Sequence, residues 1–231
     1  MGTNWKPEDV EFIFRSYQIF EKKFEEFLRV LPLTPENEKA WSPELVGLFL
    51  DISGMVDSVA RHIVGKSATK KTHELNIDDF EKHLLSKESI IDSRVAVYVY
   101  PLKVISPYDG YRAAEGWWKV YSSLKHNRIE HYTKANLSNT LNALAGLFLL
   151  LVRHKDEEFT KALLRFNLIN DGGYVPEYVH GERLRNGYQF WYDSELFGTH
   201  DLAENLPKDI SKINPALTSR KFQKFFGRFN P

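Results

Sequence analysis

Residues 141–152 (LNALAGLFLLLV) form a run of about a dozen positions in which Asn142 is the one polar side chain. A helix made from such a run has no face to present to water, so other elements must surround it. It is also too short to cross a bilayer, which takes roughly 20 apolar residues. The run therefore predicts a fold organised around one buried helix, over about 134–154, with Thr133 as candidate cap.

The flanking segments are amphipathic and can supply the wrapping. Ile13, Tyr17, Phe20, Phe24, Phe27 and Leu31 recur at alternating steps of three and four, which places them on one helical stripe. Glu8 and Asp9 sit where the dipole of that helix favours acids, and Pro32 ends it. Ser42-Pro43 then gives a cap followed by proline at the first helical position, and Leu45 to Ile63 continue at helical spacing. A short helix capped by Asp78 follows, through about Ser86. Further helices are expected over about 111–126 and 156–168.

Residues 94–108 (RVAVYVYPLKVISPY) are rich in valine and tyrosine, and with Pro101 and Pro107 inside they predict an extended stretch with one edge strand. After residue 170 the texture becomes aromatic and turn-rich. Short strands are expected at 174–179 and 188–192, and a closing helix is capped by Thr218. The aromatics at 188–192 read as packing against the bundle, or else as a ligand platform closing a pocket with Trp191 and Tyr192. The expectation is a mainly α protein: an antiparallel helical bundle over 1–170 and a short irregular or β extension over 171–231, packed on it.

Composition narrows the chemistry. Lys+Arg 31 balance Asp+Glu 31, which argues against a wholesale grip on duplex DNA. The absence of cysteine removes disulfides, thiolate zinc sites and thiol nucleophiles. His62, His73 and His83 lack the spacing of a helical metal site, and Gly65-Lys66-Ser67 lacks the glycine-rich turn of a phosphate loop. No GxSxG or GxGxxG is present, and no leader or membrane segment is apparent. No cofactor, metal or membrane partner is expected, and the location is expected to be cytoplasmic.

One segment concentrates reactive side chains, residues 117–132 (WWKVYSSLKHNRIEHY). Cations interleaved with aromatics can hold a phosphodiester backbone and stack bases, and a histidine can move a proton near neutral pH. On a continuing helix Ser122, His126 and Glu130 lie at four-residue steps, so Glu130 can orient His126. The plainer reading makes Trp117, Tyr121 and Leu124 core, with Lys119, Lys125 and Arg128 as solvated charges.

The string WWKVYSSLKHNR, followed by the apolar helix ANLSNTLNALAGLFLLL, resembles the HEPN superfamily of helical-bundle domains over about 117–152. Members carry an arginine, a polar residue and, after a short spacer, a histidine that is commonly preceded by lysine. Lys125-His126 match that end and Ser122 falls in the polar slot, whereas Tyr121 occupies the arginine slot. Arg128 compensates only if the backbone turns after His126; a second register pairs His126 with His131. The resemblance implies homodimerisation and metal-independent RNA cleavage, with His126 as general acid/base. Lys125 and Arg128 would contact phosphate, with Tyr121, Ser122, Asn127, Glu130 and His131 around them. Many HEPN domains are inactive, so a non-catalytic homodimeric interaction module is the alternative.

Overall fold

The computed structural model describes residues 5–65, 70–99, 103–154, 156–166, 168–170 and 191–200. The fold is mainly α-helical with a small sheet. At its centre is α6 (Leu137–Arg153), where every residue from 143 to 152 is buried. Its start differs from the sequence expectation. Residues Tyr132–Lys134 form a 3-10 turn, and the cap is Asn136, whose side chain accepts a bond of 3.0 Å from the Asn139 N–H. Asn139 returns its own amide to the Lys134 carbonyl at 2.9 Å, which holds the preceding turn out of helical register.

Helices α1 (Pro7–Val30), α2 (Pro43–Gly65) and α7 (Glu157–Arg165) match the expected amphipathic segments. At the start of α2 the Leu45 N–H donates to the Ser42 hydroxyl at 3.1 Å, the predicted cap. α1, α2, α4 (Trp117–His126) and α7 all pack against α6, with α2 making the most extensive contact. Two buried rings, Tyr17 and Phe148, carry the α1–α6 contact at 6.0 Å between centroids. No single described helix is long and apolar enough to cross a membrane.

The short helix α3 (Ile77–Phe80) runs on into a π-helical turn at Glu81–Leu85. Its cap is Asn76 rather than Asp78. The Asn76 carbonyl oxygen accepts from both Asp78 N–H and Asp79 N–H, and the Asp79 carboxylate returns a bond to Asn76 N–H, a reciprocal box that Asp78 has no geometry to make.

The extended stretch is two strands, not one. β1 (Val95–Val97) pairs antiparallel with β2 (Lys103–Ile105), and Pro101 falls between them. β1 is an inner strand: its other edge pairs with β5 (Phe197–His200), in the order β2-β1-β5-β4-β3, where β3 is Ile169–Asn170 and β4 is Trp191–Asp193. The physical reason is that β1 contains no proline and buries all three residues, whereas the edge β2 is half-buried and is followed by Pro107. One sheet thus joins residues from both sides of position 170. The expected strand at 174–179, residues 188–190, the helix after Thr218 and the side chains of Trp191 and Tyr192 lie outside what is described.

A buried carboxylate ties the bundle to the sheet. Glu21, on the inner face of α1, accepts hydrogen bonds of 3.0 Å from the Tyr17 hydroxyl and from the Leu196 N–H. Next to it the Phe197 N–H donates to the Ser194 hydroxyl at 2.9 Å, closing the β4–β5 turn. Gly198 lies so close to the Tyr98 hydroxyl that no side chain fits there. Burial raises the Glu21 carboxyl from 4.5 to about 7, although every polar neighbour donates to it. A second buried ionisable group, His154, ends α6 with its ring edge-on to Phe159 at 4.9 Å and neither ring nitrogen hydrogen-bonded. Burial, with the nearby His62 adding to it, lowers its value from 6.5 to about 4.

The two groups give stability opposite slopes. Glu21 holds its proton in the folded chain where the unfolded chain has lost it, so its contribution falls as pH rises from 4.5 to 7. His154 resists protonation in the folded chain, so its contribution is lost as pH falls from 6.5 to 4. Each slope amounts to on the order of 3 kcal/mol across its window. Urea titrations of Glu21→Gln should show that variant gaining on the wild type by that amount between pH 4.5 and 7. His154→Phe should gain on the wild type in the other direction, as pH falls from 6.5 to 4.

Candidate functional site

The segment over 117–132 is held by its approach from the sheet. α4 begins at Trp117, not at 111, because residues 111–116 close a tight turn. Gly110 adopts φ +62°, and a side chain at Gly116 would overlap the Gly110 and Tyr111 carbonyls. Trp118 N–H then donates to the Tyr111 carbonyl at 3.0 Å. The turn is pinned by Glu81, whose carboxylate accepts from the Tyr111 hydroxyl at 2.7 Å and from Arg112 at 2.9 Å; Arg112 also bonds Asp78. Inside, Trp117 donates to the Pro107 carbonyl at 2.7 Å and Tyr108 to the Gly146 carbonyl at 3.0 Å. Gly146 lets both rings approach α6.

Trp117, Tyr121 and Leu124 are core, as the plainer reading had it. Lys125 is not a free cation. Its ammonium lies 3.4 Å from the buried Asp57 carboxylate of α2 and 4.9 Å from the centre of the Tyr121 ring. Asp57 also accepts from Arg61 at 2.9 Å, and Arg61 reaches the Thr72 and Leu75 carbonyls at 3.0 and 2.7 Å. Burial opposes the charge on Lys125, but the Tyr121 oxygen and the Asp57 carboxylate outweigh it and hold its pKa above the usual lysine value. Asp57 and Arg61 were not singled out from sequence. Their signal was an i,i+4 acid–base pair set in an otherwise apolar helix.

The helix stops at His126. Asn127 adopts φ −146° and ψ 84°, and a separate turn, α5 (Arg128–His131), starts at the next residue. The line Ser122–His126–Glu130 is therefore broken: Glu130 sits on α5 and makes no bond to His126. The backbone does turn after His126, with Arg128 the first residue of α5. His126, Arg128 and Glu130 are exposed, Ser122, Asn127 and His131 are half-buried, and none of the three exposed groups is hydrogen-bonded or ion-paired among the described residues.

Against Tyr132 lies one side chain that sequence reading passed over. Trp41, before α2, meets Tyr132 edge to face at 4.6 Å, and both rings remain partly exposed. Ile129 projects between Arg128 and Glu130 with 86% of its surface open. Cationic, aromatic and apolar side chains are thus exposed within residues 126–132, with Trp41 set against Tyr132. Among the described residues no group of three or more His, Asp or Glu side chains is arranged to hold a metal ion, and His62 stacks on Trp5 at 3.8 Å instead. Gly65-Lys66-Ser67 runs into residues outside the described set.

Comparison with protein-family models, with curated proteins and with solved structures finds no match to this chain.

The Asp57 pairing carries its own expectation. Asp57→Asn leaves Arg61 and Lys125 facing a neutral amide and should cost about 2 kcal/mol, less than a sealed pair because Lys125 is half in water. Denaturation of the single variants and of Asp57→Asn with Lys125→Ala should show non-additivity, which checks the coupling.

Proposed function

We propose that the corner formed by α5 and Trp41 binds single-stranded RNA, in a HEPN-like homodimeric protein. The observation that carries this reading is the exposed, uncommitted pair His126, at the end of α4, and Arg128, on α5, in the same short stretch as Tyr132 and the Trp41 it meets. A cation that meets phosphate and rings that meet unstacked bases are the two contacts single strands need. The break at Asn127 supports it further, since a turn after His126 is the condition on which Arg128 could stand in for the motif arginine that Tyr121 displaces. Lys125, paired with Asp57, ties the end of α4 to α2.

His126 has the chemistry for metal-independent cleavage. Its neutral imidazole takes the proton of a 2′-hydroxyl, whose oxygen attacks the adjacent phosphorus and releases the 5′-oxygen. That leaving oxygen needs a proton from a second acid, which the partner's His126 supplies in a dimer. A second reading, a non-catalytic homodimeric module, is favoured by one observation: the motif lysine is spent on an intramolecular ion pair.

Fluorescence anisotropy with mixed-sequence single-stranded RNA in chelator separates the two. Under the first reading the wild type binds, and Trp41→Ala or Arg128→Ala weakens binding by about tenfold each. His126→Ala should retain binding and lose whatever cleavage the wild type shows. No RNA binding by a correctly folded dimer leaves the interaction module.

A further inference from the structure

α7 and the segment that leads into α1 are both seated on imidazole rings. Phe159 of α7 is fully buried, lying edge-on to His154 at 4.9 Å, against Trp5 at 4.9 Å and against Phe14 at 5.6 Å. Trp5 in turn stacks on His62 of α2 at 3.8 Å. Two titratable groups face the His154 ring from other elements: His62 from α2, and Glu88 from the turn after the π-helical residues. Arg153 precedes it on α6, and Asp156 is committed to α7, where its carboxylate accepts from the Glu158 N–H at 3.0 Å. The Glu88 Oε1 stands 4.0 Å from His154 Nδ1, just beyond hydrogen-bond reach. The residue after it is strained: Ser89 adopts φ +54°, with its carbonyl held by the Ser93 hydroxyl at 2.7 Å.

We infer that His154 and Glu88 form a proton-operated latch on α7: the neutral imidazole seats Phe159, whereas the protonated ring turns to the Glu88 carboxylate and lets α7 lift from the bundle. A buried imidazolium against a phenyl edge needs an acceptor, and Glu88 offers one. Closing the gap by about 1 Å makes a charge-assisted bond and draws the ring away from Phe159, the side chain through which α7 meets Trp5, Phe14 and α6. α6 keeps its cover, because α1, α2 and α4 also enclose it, so the event is local opening and not unfolding. Acid is required because burial, with His62, holds His154 at about 4 while α7 is seated; opening returns it toward 6.5, so proton uptake and opening favour each other. The inference stands apart from RNA binding, since His154 lies about 25 Å along α6 from the turn at Tyr132–Lys134.

Hydrogen–deuterium exchange of the full chain, scaled to the intrinsic rate at each pH from 7 down to 4, tests this. Residues 157–165 should lose protection by about tenfold or more over that interval, while residues 143–152 keep theirs. His154→Phe and His154→Gln, each checked for native circular dichroism, should keep α7 protected throughout. Glu88→Gln should move the opening about one pH unit lower, a shift that a merely structural role for Glu88 would not produce. Loss of protection in both segments together, protection of α7 down to pH 4 in the wild type, or opening of the folded His154 variants at the wild-type pH overturns the latch. So does an unmoved midpoint in Glu88→Gln.

Discussion

The structure depends on the desolvation of α6. Ten successive buried residues on one helix cannot be accommodated by a single neighbour, since a helix covers only one side of another. α1, α2, α4 and α7 therefore arrange themselves around it, and each brings an apolar stripe matched to the face it covers. Packing also dictates details that propensity would not choose, such as Gly146 in mid-helix, where it admits the rings of Tyr108 and Trp117.

Once the interior is assembled, its few polar groups decide how the parts are joined. Glu21 costs desolvation, yet its oxygen ends the strand turn at Leu196 and so docks the sheet on α1. Asp57 plays the corresponding part between α2 and α4, with Lys125 and Arg61 both leaning on it. Partly buried ion pairs of this kind add little net stability but restrict which packing is allowed, because any other arrangement strands a charge. The end of α4 is thereby held in place, and with it the turn carrying His126 and Arg128. Function, on this reading, is displayed by a corner whose own residues contribute little to the core.

The periodic elements were legible in the residues themselves. α1, α2 and α7 appear where apolar spacing puts them, and the plain reading of Trp117, Tyr121 and Leu124 as core is what the structure shows. Less legible were the starts of α4 and α6, where a glycine with no room for a Cβ and the Asn136 cap outweigh helical spacing. The single extended stretch proved to be a hairpin with an inner strand, since strand order depends on partners more than ninety residues away. At the candidate site the chain pattern suggested Glu130 as the partner of His126, which a continuous helix would require and the break at Asn127 removes. Trp41 meeting Tyr132 and Asp57 meeting Lys125 were not legible because each pair comes from distant parts of the chain.

What the sequence by itself determined is the set of helices and the need for one of them to be enclosed, because apolar periodicity acts within a few turns and fixes which faces shed water. Tertiary structure alone decided that the ammonium of Lys125 belongs to Asp57, that the helix breaks after His126, and that Trp41 stands beside Tyr132. Those outcomes depend on distances between segments remote in sequence, where the geometry of packing selects among pairings that local spacing leaves equivalent.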